Sequence, residues 1–87
     1  MSKMNIDKSQ LEILTKIKTA GPLTYNELEE LCQLASLNKG LFAKNLRFLI
    51  RKGLVKILKI RSTTHYTISS KGMEYIKSLK TRKEKNQ

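Results

Sequence analysis

The chain has 87 residues, 39% hydrophobic and 29% charged, with a net charge of +11. A chain of this length forms one domain at most and leaves no room for an elaborate enzyme pocket. It lacks the roughly 18 consecutive apolar residues of a membrane helix, as well as a signal-peptide core, so we expect a cytoplasmic protein without a membrane partner. A single cysteine, Cys32, and a single histidine, His65, exclude an intramolecular disulfide and a Cys/His zinc site.

The first apolar pattern predicts a helix that starts from a cap at Asp7 or Ser9 and ends at Gly21 and Pro22. Its apolar face consists of Leu11, Ile13, Leu14 and Ile17. After it, Thr24 is followed three residues later by Glu27, which is the spacing of a capping box.

The capping box predicts a second helix of roughly three turns, judged from its apolar pattern. The apolar stripe of this helix consists of Leu28, Leu31 and Cys32, with Cys32 expected as a small core residue of the helix. A tight connection is expected around residues 34–37.

The third helix is predicted over about residues 38–52, with Ser36 or Asn38 as its cap and Gly53 as its stop. Its broad apolar arc consists of Leu37, Leu41, Phe42, Leu46, Leu49 and Ile50. At about 100° per residue, the opposite side gathers Gly40, Lys44, Arg47 and Arg51. This outward side is cationic and contains no acid.

Residues 54–68 predict a β-hairpin, because "LVKILKI" and "HYTI" are rich in β-branched and aromatic residues and "RSTT" suits the loop between them. Ser69 or Ser70 is placed to cap a last helix with apolar Met73, Tyr75, Ile76 and Leu79. The sequence thus predicts a domain over residues 1–80 and a basic, disordered tail over 81–87.

Charge is divided unevenly along the chain. Residues 1–35 carry four lysines against five acids, a net of −1, whereas residues 36–87 carry fourteen lysines and arginines against two acids, a net of +12. A solvated helix face explains scattered lysines, but segregation this strong indicates a polyanionic partner, above all nucleic acid.

The stretch "LTYNELEELCQLASLNKGLFAKNLRFLIRKGLV" resembles the helix-turn-helix core of small transcription regulators of the MarR, PadR and related archaeal winged-helix groups. Within it, "LRFLIRKGLV" is similar to the end of their recognition helix and the start of their wing. "YTISSKGMEYI" is similar to their junction between wing and last helix. The resemblance covers about residues 9–80. It implies a winged helix-turn-helix fold of three helices, a two-stranded wing and a C-terminal helix, and a role in binding double-stranded DNA.

The residues agree with this expectation, because the major groove of DNA accepts a helix that is polar outward and apolar toward its own domain. The predicted DNA-binding residues on the third helix are Asn38, Lys39, Gly40, Lys44, Arg47 and Arg51. On the wing, which the fold would lay on the backbone or in a minor groove, they are Lys59, Arg61, Ser62, Thr63 and Thr64. At the start of the second helix, Thr24, Tyr25 and Asn26 are placed where helices hold phosphates.

Several of these residues can also be explained without any contact to DNA. Gly40 is equally explained as a weak spot of the helix, Thr24 as a cap, and Lys39 and Lys44 individually as solvated lysines. For the whole chain, the alternatives are a winged-helix module that binds protein and an RNA-binding protein. Enzyme function is set aside, since no catalytic relay, metal site, cofactor motif or small-molecule ligand site is evident.

A homodimer is also predicted, joined mainly through the first and last helices. The reason is that these helices carry more large apolar residues than a core of this size is expected to cover.

Overall fold

The computed structural model describes residues 6–85, with the side chains of all of these except Leu34 and residues 80–85. Over this range the chain is mainly helical, with five helices and one two-stranded antiparallel hairpin, which confirms the predicted mainly α class with a β-hairpin. The elements in chain order are α1 (Lys8–Ala20), α2 (Tyr25–Leu31), α3 (Gln33–Leu37), α4 (Lys39–Arg51), β1 (Val55–Ile60), β2 (Thr63–Ile68) and α5 (Ser70–Lys85). None of the helices described is long and apolar enough to cross a membrane.

Local hydrogen bonds fix where the helices begin. The Asp7 side chain accepts from the Gln10 N–H at 2.9 Å, and the Gln10 side chain accepts from the Asp7 N–H at 3.1 Å. Thr24 and Glu27 form the same reciprocal box at the start of α2, and Asn38 caps α4. Each of these caps satisfies backbone N–H groups that a helix end leaves without partners. The predicted caps Asp7, Thr24 and Asn38 are therefore confirmed.

The second predicted helix is divided in two. It ends at Leu31, because Cys32 has an extended backbone (φ −101°, ψ 129°), and a separate short helix, α3, follows where the sequence predicts a tight connection. The carboxylate of Glu12, on α1, accepts a hydrogen bond of 2.9 Å from the Gln33 N–H at the start of α3. Cys32 is buried as predicted, but it lies between two helices and not within one. A bond from another helix supports this break, and local sequence patterns do not reveal it.

The core gathers apolar side chains from α1 to α5 and from the start of the hairpin. Its members are Ile13, Leu14, Ile17, Leu23, Leu28, Cys32, Ala35, Phe42, Leu46, Leu49, Leu54, Val55 and Ile76. Three of the four large residues of α1 are thus covered within one chain, which leaves this helix less apolar surface for the predicted dimer. On α5, Ile76 is buried as well, and Met73 is 41% exposed.

Three leucines that the sequence assigns to apolar faces are exposed: Leu31 by 44%, Leu37 by 83% and Leu41 by 45%. For Leu37 the reason is that Asn38 is extended (φ −158°, ψ 100°), so the periodicity of α4 does not include it. Leu41 lies about 60° around α4 from Lys44, at the border between the buried and outward faces. The predicted apolar arc of this helix is therefore too broad.

The hairpin pairs β1 with β2 from Val55 opposite Ile68 to Ile60 opposite Thr63. Its turn is Arg61–Ser62 alone, so Thr63 and Thr64 belong to β2 and the predicted four-residue loop is too long. On the other side of β2, Leu23 and Tyr66 exchange two backbone hydrogen bonds of 2.7 and 3.0 Å. The segment between α1 and α2 thus fastens the hairpin to the helices.

The junction of α4, hairpin and α5 is fixed by Gly53 and Ser69. Gly53 has φ +81°, a conformation that glycine adopts readily and other residues rarely do. The Ser69 hydroxyl donates to the Gly53 carbonyl and accepts from the Gly72 N–H at the start of α5. Ser69 is therefore the cap of the last helix.

The last helix continues to Lys85, where the sequence predicts a disordered tail from residue 81. Residues 80–85 consist mostly of lysine, arginine and glutamate, which have high helix propensity even though they offer no apolar face. The remainder of the predicted tail, residues 86–87, lies outside the described residues.

Candidate nucleic-acid interface

Helix α4 separates a buried face from a cationic face. Phe42, Leu46 and Leu49 are buried in the core. The outward side carries exposed Gly40, Lys44, Arg47 and Arg51, as the helical spacing predicts. The helix contains no acid, and Lys39 at its first position is exposed too. Its outward face is therefore a continuous strip of positive charge in solvent.

Two contacts hold α4 in its orientation. The amide nitrogen of Gln10, on α1, donates to the side-chain oxygen of Asn45 at 2.9 Å in a partly buried position. The ring of Tyr25, on α2, packs edge-to-face on Phe42 with centroids 5.3 Å apart. Together with the buried Phe42, Leu46 and Leu49, these contacts set which side of α4 faces the core and which faces solvent.

The start of α4 brings a cap and a glycine together. The Asn38 oxygen accepts from the Leu41 N–H at 3.1 Å, so part of this predicted DNA-binding side chain is engaged in capping. A Cβ atom at Gly40 meets one neighbour, that same Asn38 oxygen, at 3.3 Å. The glycine is exposed, and the backbone here is open to a close approach from outside.

The start of α2 is less suited to a phosphate than the sequence suggests. The Thr24 hydroxyl accepts from the Glu27 N–H at 3.2 Å, and the Glu27 carboxylate accepts from the Thr24 N–H at 2.9 Å. A carboxylate already occupies this helix end, and it repels a second anion. Thr24 therefore acts as a cap, the alternative that the sequence left open.

Tyr25 is half-buried and links three elements. Besides Phe42, its ring contacts Tyr66 of β2 edge-to-face, with centroids 6.4 Å apart. Burial raises the pKa of Tyr25, as do the charge of Glu29 and the neighbouring Tyr66, while Arg47 lowers it. The phenol therefore stays protonated at neutral pH, and its main structural contribution is to packing beside Arg47.

The hairpin tip forms a second polar patch. Lys59, Arg61, Ser62 and Thr63 are exposed there, and Thr64 is half-buried. Arg61 has φ 51° and Ser62 has φ 68°, so both turn residues lie in the left-handed backbone region. Residues other than glycine and asparagine rarely adopt this conformation. The tip is thus formed by two residues that do not favour its backbone.

Most of the residues predicted to bind DNA lie in two groups on the surface. Two further residues, Lys52 and Leu41, lie next to the first group and were not among those predicted. The first group is the α4 strip, the second is the hairpin tip, and Thr24 and Tyr25 stand apart in capping and packing. Lys52 extends the cations past the end of α4, with its ammonium 5.6 Å from the Phe48 ring centroid. The spacing of four residues between them could have indicated this contact. Leu41 was assigned to the core, and its exposure could not be found from the sequence.

Reactive groups are scarce in the described residues. Burial, followed by the nearby charge of Glu12, raises the pKa of the Cys32 thiol to about 11, so the thiol is protonated at neutral pH and a poor nucleophile. Within residues 6–85, no cluster of three histidine, cysteine, aspartate or glutamate side chains could hold a metal ion.

Comparisons with protein families, with curated proteins and with solved structures give no match to this chain. What it binds is therefore inferred from its own residues and their geometry.

Proposed function

We propose that this chain is a winged helix-turn-helix transcription regulator that binds double-stranded DNA in a sequence-specific manner. In this proposal α4 is the recognition helix and enters the major groove, while the β1–β2 hairpin is the wing and lies on the backbone or in a minor groove. The order of helices and hairpin supports it, as does the attachment of the hairpin through Leu23 and Tyr66.

The observation that carries the proposal is the outward face of α4. Four positions at helical spacing, Gly40, Lys44, Arg47 and Arg51, are all exposed while the opposite side is in the core. A helix that reads the major groove needs this division, since one side must pack on the domain and the other must meet base edges and phosphates. The +12 charge of residues 36–87 provides the long-range attraction.

The proposed activity is binding and not catalysis. A protonated thiol at Cys32 supplies no nucleophile at neutral pH, and the exposed lysines and arginines suit phosphate contacts. Neither a cofactor nor a small-molecule ligand has a role in this proposal.

The proposal includes the homodimer that the sequence predicts through the first and last helices, with α5 offering the more exposed apolar side chain. Met73 is exposed and Leu79 is half-buried, whereas Ile13, Leu14 and Ile17 of α1 are buried in the core and Leu11 is half-buried. A two-fold dimer would bind an inverted repeat with half-sites about one DNA turn apart. Sedimentation at micromolar concentration that gives a 10 kDa species contradicts this part alone.

A winged-helix module that binds protein is the second candidate, and one observation favours it. A groove of about 420 Å³ lies between α1 and α3, lined by Lys8, Ser9, Glu12, Gln33 and the exposed Leu37. The groove carries both Lys8 and Glu12, so an uncharged peptide segment of a partner protein would fit it better than a strongly charged segment. Since the cationic strip lies on α4 and not in this groove, we favour DNA.

A gel-shift assay tests the proposal with duplex DNA, duplex RNA and single-stranded RNA of equal length. We expect the DNA duplex to bind most tightly, with log affinity falling against log salt at about −0.9 per phosphate neutralised. Equal or tighter binding of either RNA contradicts the proposal, and so does an affinity for DNA that hardly changes with salt. A Lys44→Ala/Arg47→Ala/Arg51→Ala variant should lose most of the binding, whereas the control Lys8→Ala/Lys18→Ala on α1 should keep it.

A further inference from the structure

Leu41 is an exposed apolar residue of α4 beside the cationic strip. It is the third residue of the helix and is 45% exposed, although the core covers Phe42 directly after it. Its neighbour before it is exposed Gly40, and Lys44 follows about one turn later. Leu37, just before the Asn38 cap, is 83% exposed, so the apolar surface at this end of α4 is open.

A leucine in this position is informative about its partner. The first residues of a recognition helix are those that approach base edges in the major groove. There adenine, guanine and cytosine present only donors and acceptors, whereas thymine also presents its C5-methyl group. A leucine against a polar edge displaces water from that edge without replacing its hydrogen bonds, which is unfavourable. Against a thymine methyl it buries apolar surface on both sides.

The backbone at Leu41 is held for such a contact. Its N–H donates to the Asn38 oxygen at 3.1 Å, which fixes the start of the helix, and Gly40 adds no side chain that would keep DNA at a distance. The cations on the same helix are Lys39, Lys44, Arg47 and Arg51, with no acid among them. An apolar residue framed by positive charge suits a polyanion with apolar groups on its surface better than it suits a second copy of this basic chain.

From these observations we infer that Leu41 reads the 5-methyl group of a thymine in the major groove. This inference rests on the proposed function and adds a chemical preference to it. It assigns to Leu41 the recognition of a methyl and leaves hydrogen bonding to guanine and to phosphates with the cations of the strip.

The test replaces thymine by deoxyuridine, which pairs identically but lacks the methyl group. A preferred duplex is first selected from a random pool with the wild-type protein, and each thymine is then replaced singly. We expect a loss of about fourfold in affinity at one thymine for each α4 bound to the duplex, from the burial of one methyl group. The same replacement should have no effect on Leu41→Ala, and Leu41→Met, which keeps an apolar side chain, should retain most of the sensitivity.

Leu31→Ala is the matched control, because Leu31 is 44% exposed but lies at the end of α2. It should respond to deoxyuridine as the wild type does. The inference is wrong if deoxyuridine leaves the affinity of the wild type unchanged at every thymine, or if the selected site contains no thymine. It is also wrong if deoxyuridine lowers the affinity of Leu41→Ala and of the wild type equally. A change from dimer to monomer in Leu41→Ala with unchanged methyl sensitivity overturns it in favour of a second copy. A pool that yields no preferred sequence contradicts the proposed function itself.

Discussion

The hydroxyl group of Ser69 donates a hydrogen bond of 2.6 Å to the carbonyl oxygen of Gly53, across the base of the hairpin. The same hydroxyl oxygen accepts from the Gly72 N–H at 3.0 Å, so one side chain ties Gly53, two residues beyond the end of α4, to the first turn of α5. The proposed recognition helix, wing and last helix therefore share one fixed junction.

Ser69→Ala should destabilise the fold by about 1–3 kcal/mol, because it removes a helix cap and leaves a carbonyl oxygen without this partner in a partly buried place. Urea unfolding followed by circular dichroism measures the change. Ser70→Ala, at the exposed neighbouring residue, should stay within about 0.5 kcal/mol of wild type. Equal midpoints for the two variants would show that the Ser69 bonds contribute nothing to stability.

Arg61 and Ser62 form the hairpin turn with positive φ at both residues, the geometry for which Asn-Gly is preferred. Arg61→Asn/Ser62→Gly should therefore raise stability by about 1 kcal/mol or more. If the arginine contacts phosphate, the variant should also bind duplex DNA less tightly, with a salt slope shallower by about one. Thermal melting and a salt titration check the two effects separately. Greater stability with unchanged DNA affinity would mean that Arg61 and Ser62 do not contact the DNA backbone.

Gly40→Ala separates the two explanations of this glycine. Alanine favours the helix by up to about 1 kcal/mol, and the one close neighbour of the new Cβ atom is the Asn38 oxygen at 3.3 Å. Because that oxygen also caps the Leu41 N–H and must shift by a few tenths of an ångström, the gain in helix propensity is partly offset, and we expect stability to change by less than about 1 kcal/mol. The variant should bind DNA several-fold less tightly, because the methyl group holds the helix away from the groove. Melting temperature and gel shift together give the answer. A stabilised variant with full affinity would leave Gly40 as a weak spot only.

The local signals of this sequence predict much of the fold. Asp7, Thr24 and Asn38 are found as caps because capping depends on residues within one turn, and the two faces of α4 follow from spacing alone. The hairpin follows from its β-branched strands, although its turn is two residues shorter than predicted.

The parts that could not be predicted depend on contacts distant in sequence. The start of α3 at Gln33 is supported by Glu12, twenty-one residues earlier. Tyr25 is partly buried because Phe42 and Tyr66 reach it from other elements. In the candidate site, the spacing of the lysines and arginines was enough to predict the cationic strip on α4. The exposure of Leu41 could not be predicted in this way, because it depends on how deeply that helix packs into the core.

Cys32 makes stability depend on pH. Its pKa, raised to about 11 by burial, lies above the ordinary value of 9.0, so the folded state favours the protonated thiol. The resulting stabilisation is complete below pH 9 and is lost as the pH rises through about 11. The stability advantage of wild type over Cys32→Ala should accordingly shrink between these pH values. Urea midpoints for both proteins at several pH values check it, and a constant difference would contradict it.

In the proposed complex α4 reads base sequence while the wing supplies attraction. The affinities of Arg47→Ala for preferred and random duplexes distinguish these two roles. The guanidinium of Arg47 can bond guanine O6 and N7 together, so its loss should cost roughly 1–3 kcal/mol on the preferred duplex and little on random DNA. Lys59→Ala is the control from the wing and should weaken both duplexes alike. Both side chains are exposed, so melting temperatures should be unchanged. Equal weakening of binding to the two duplexes by Arg47→Ala would contradict sequence reading by α4 and make this helix a phosphate clamp.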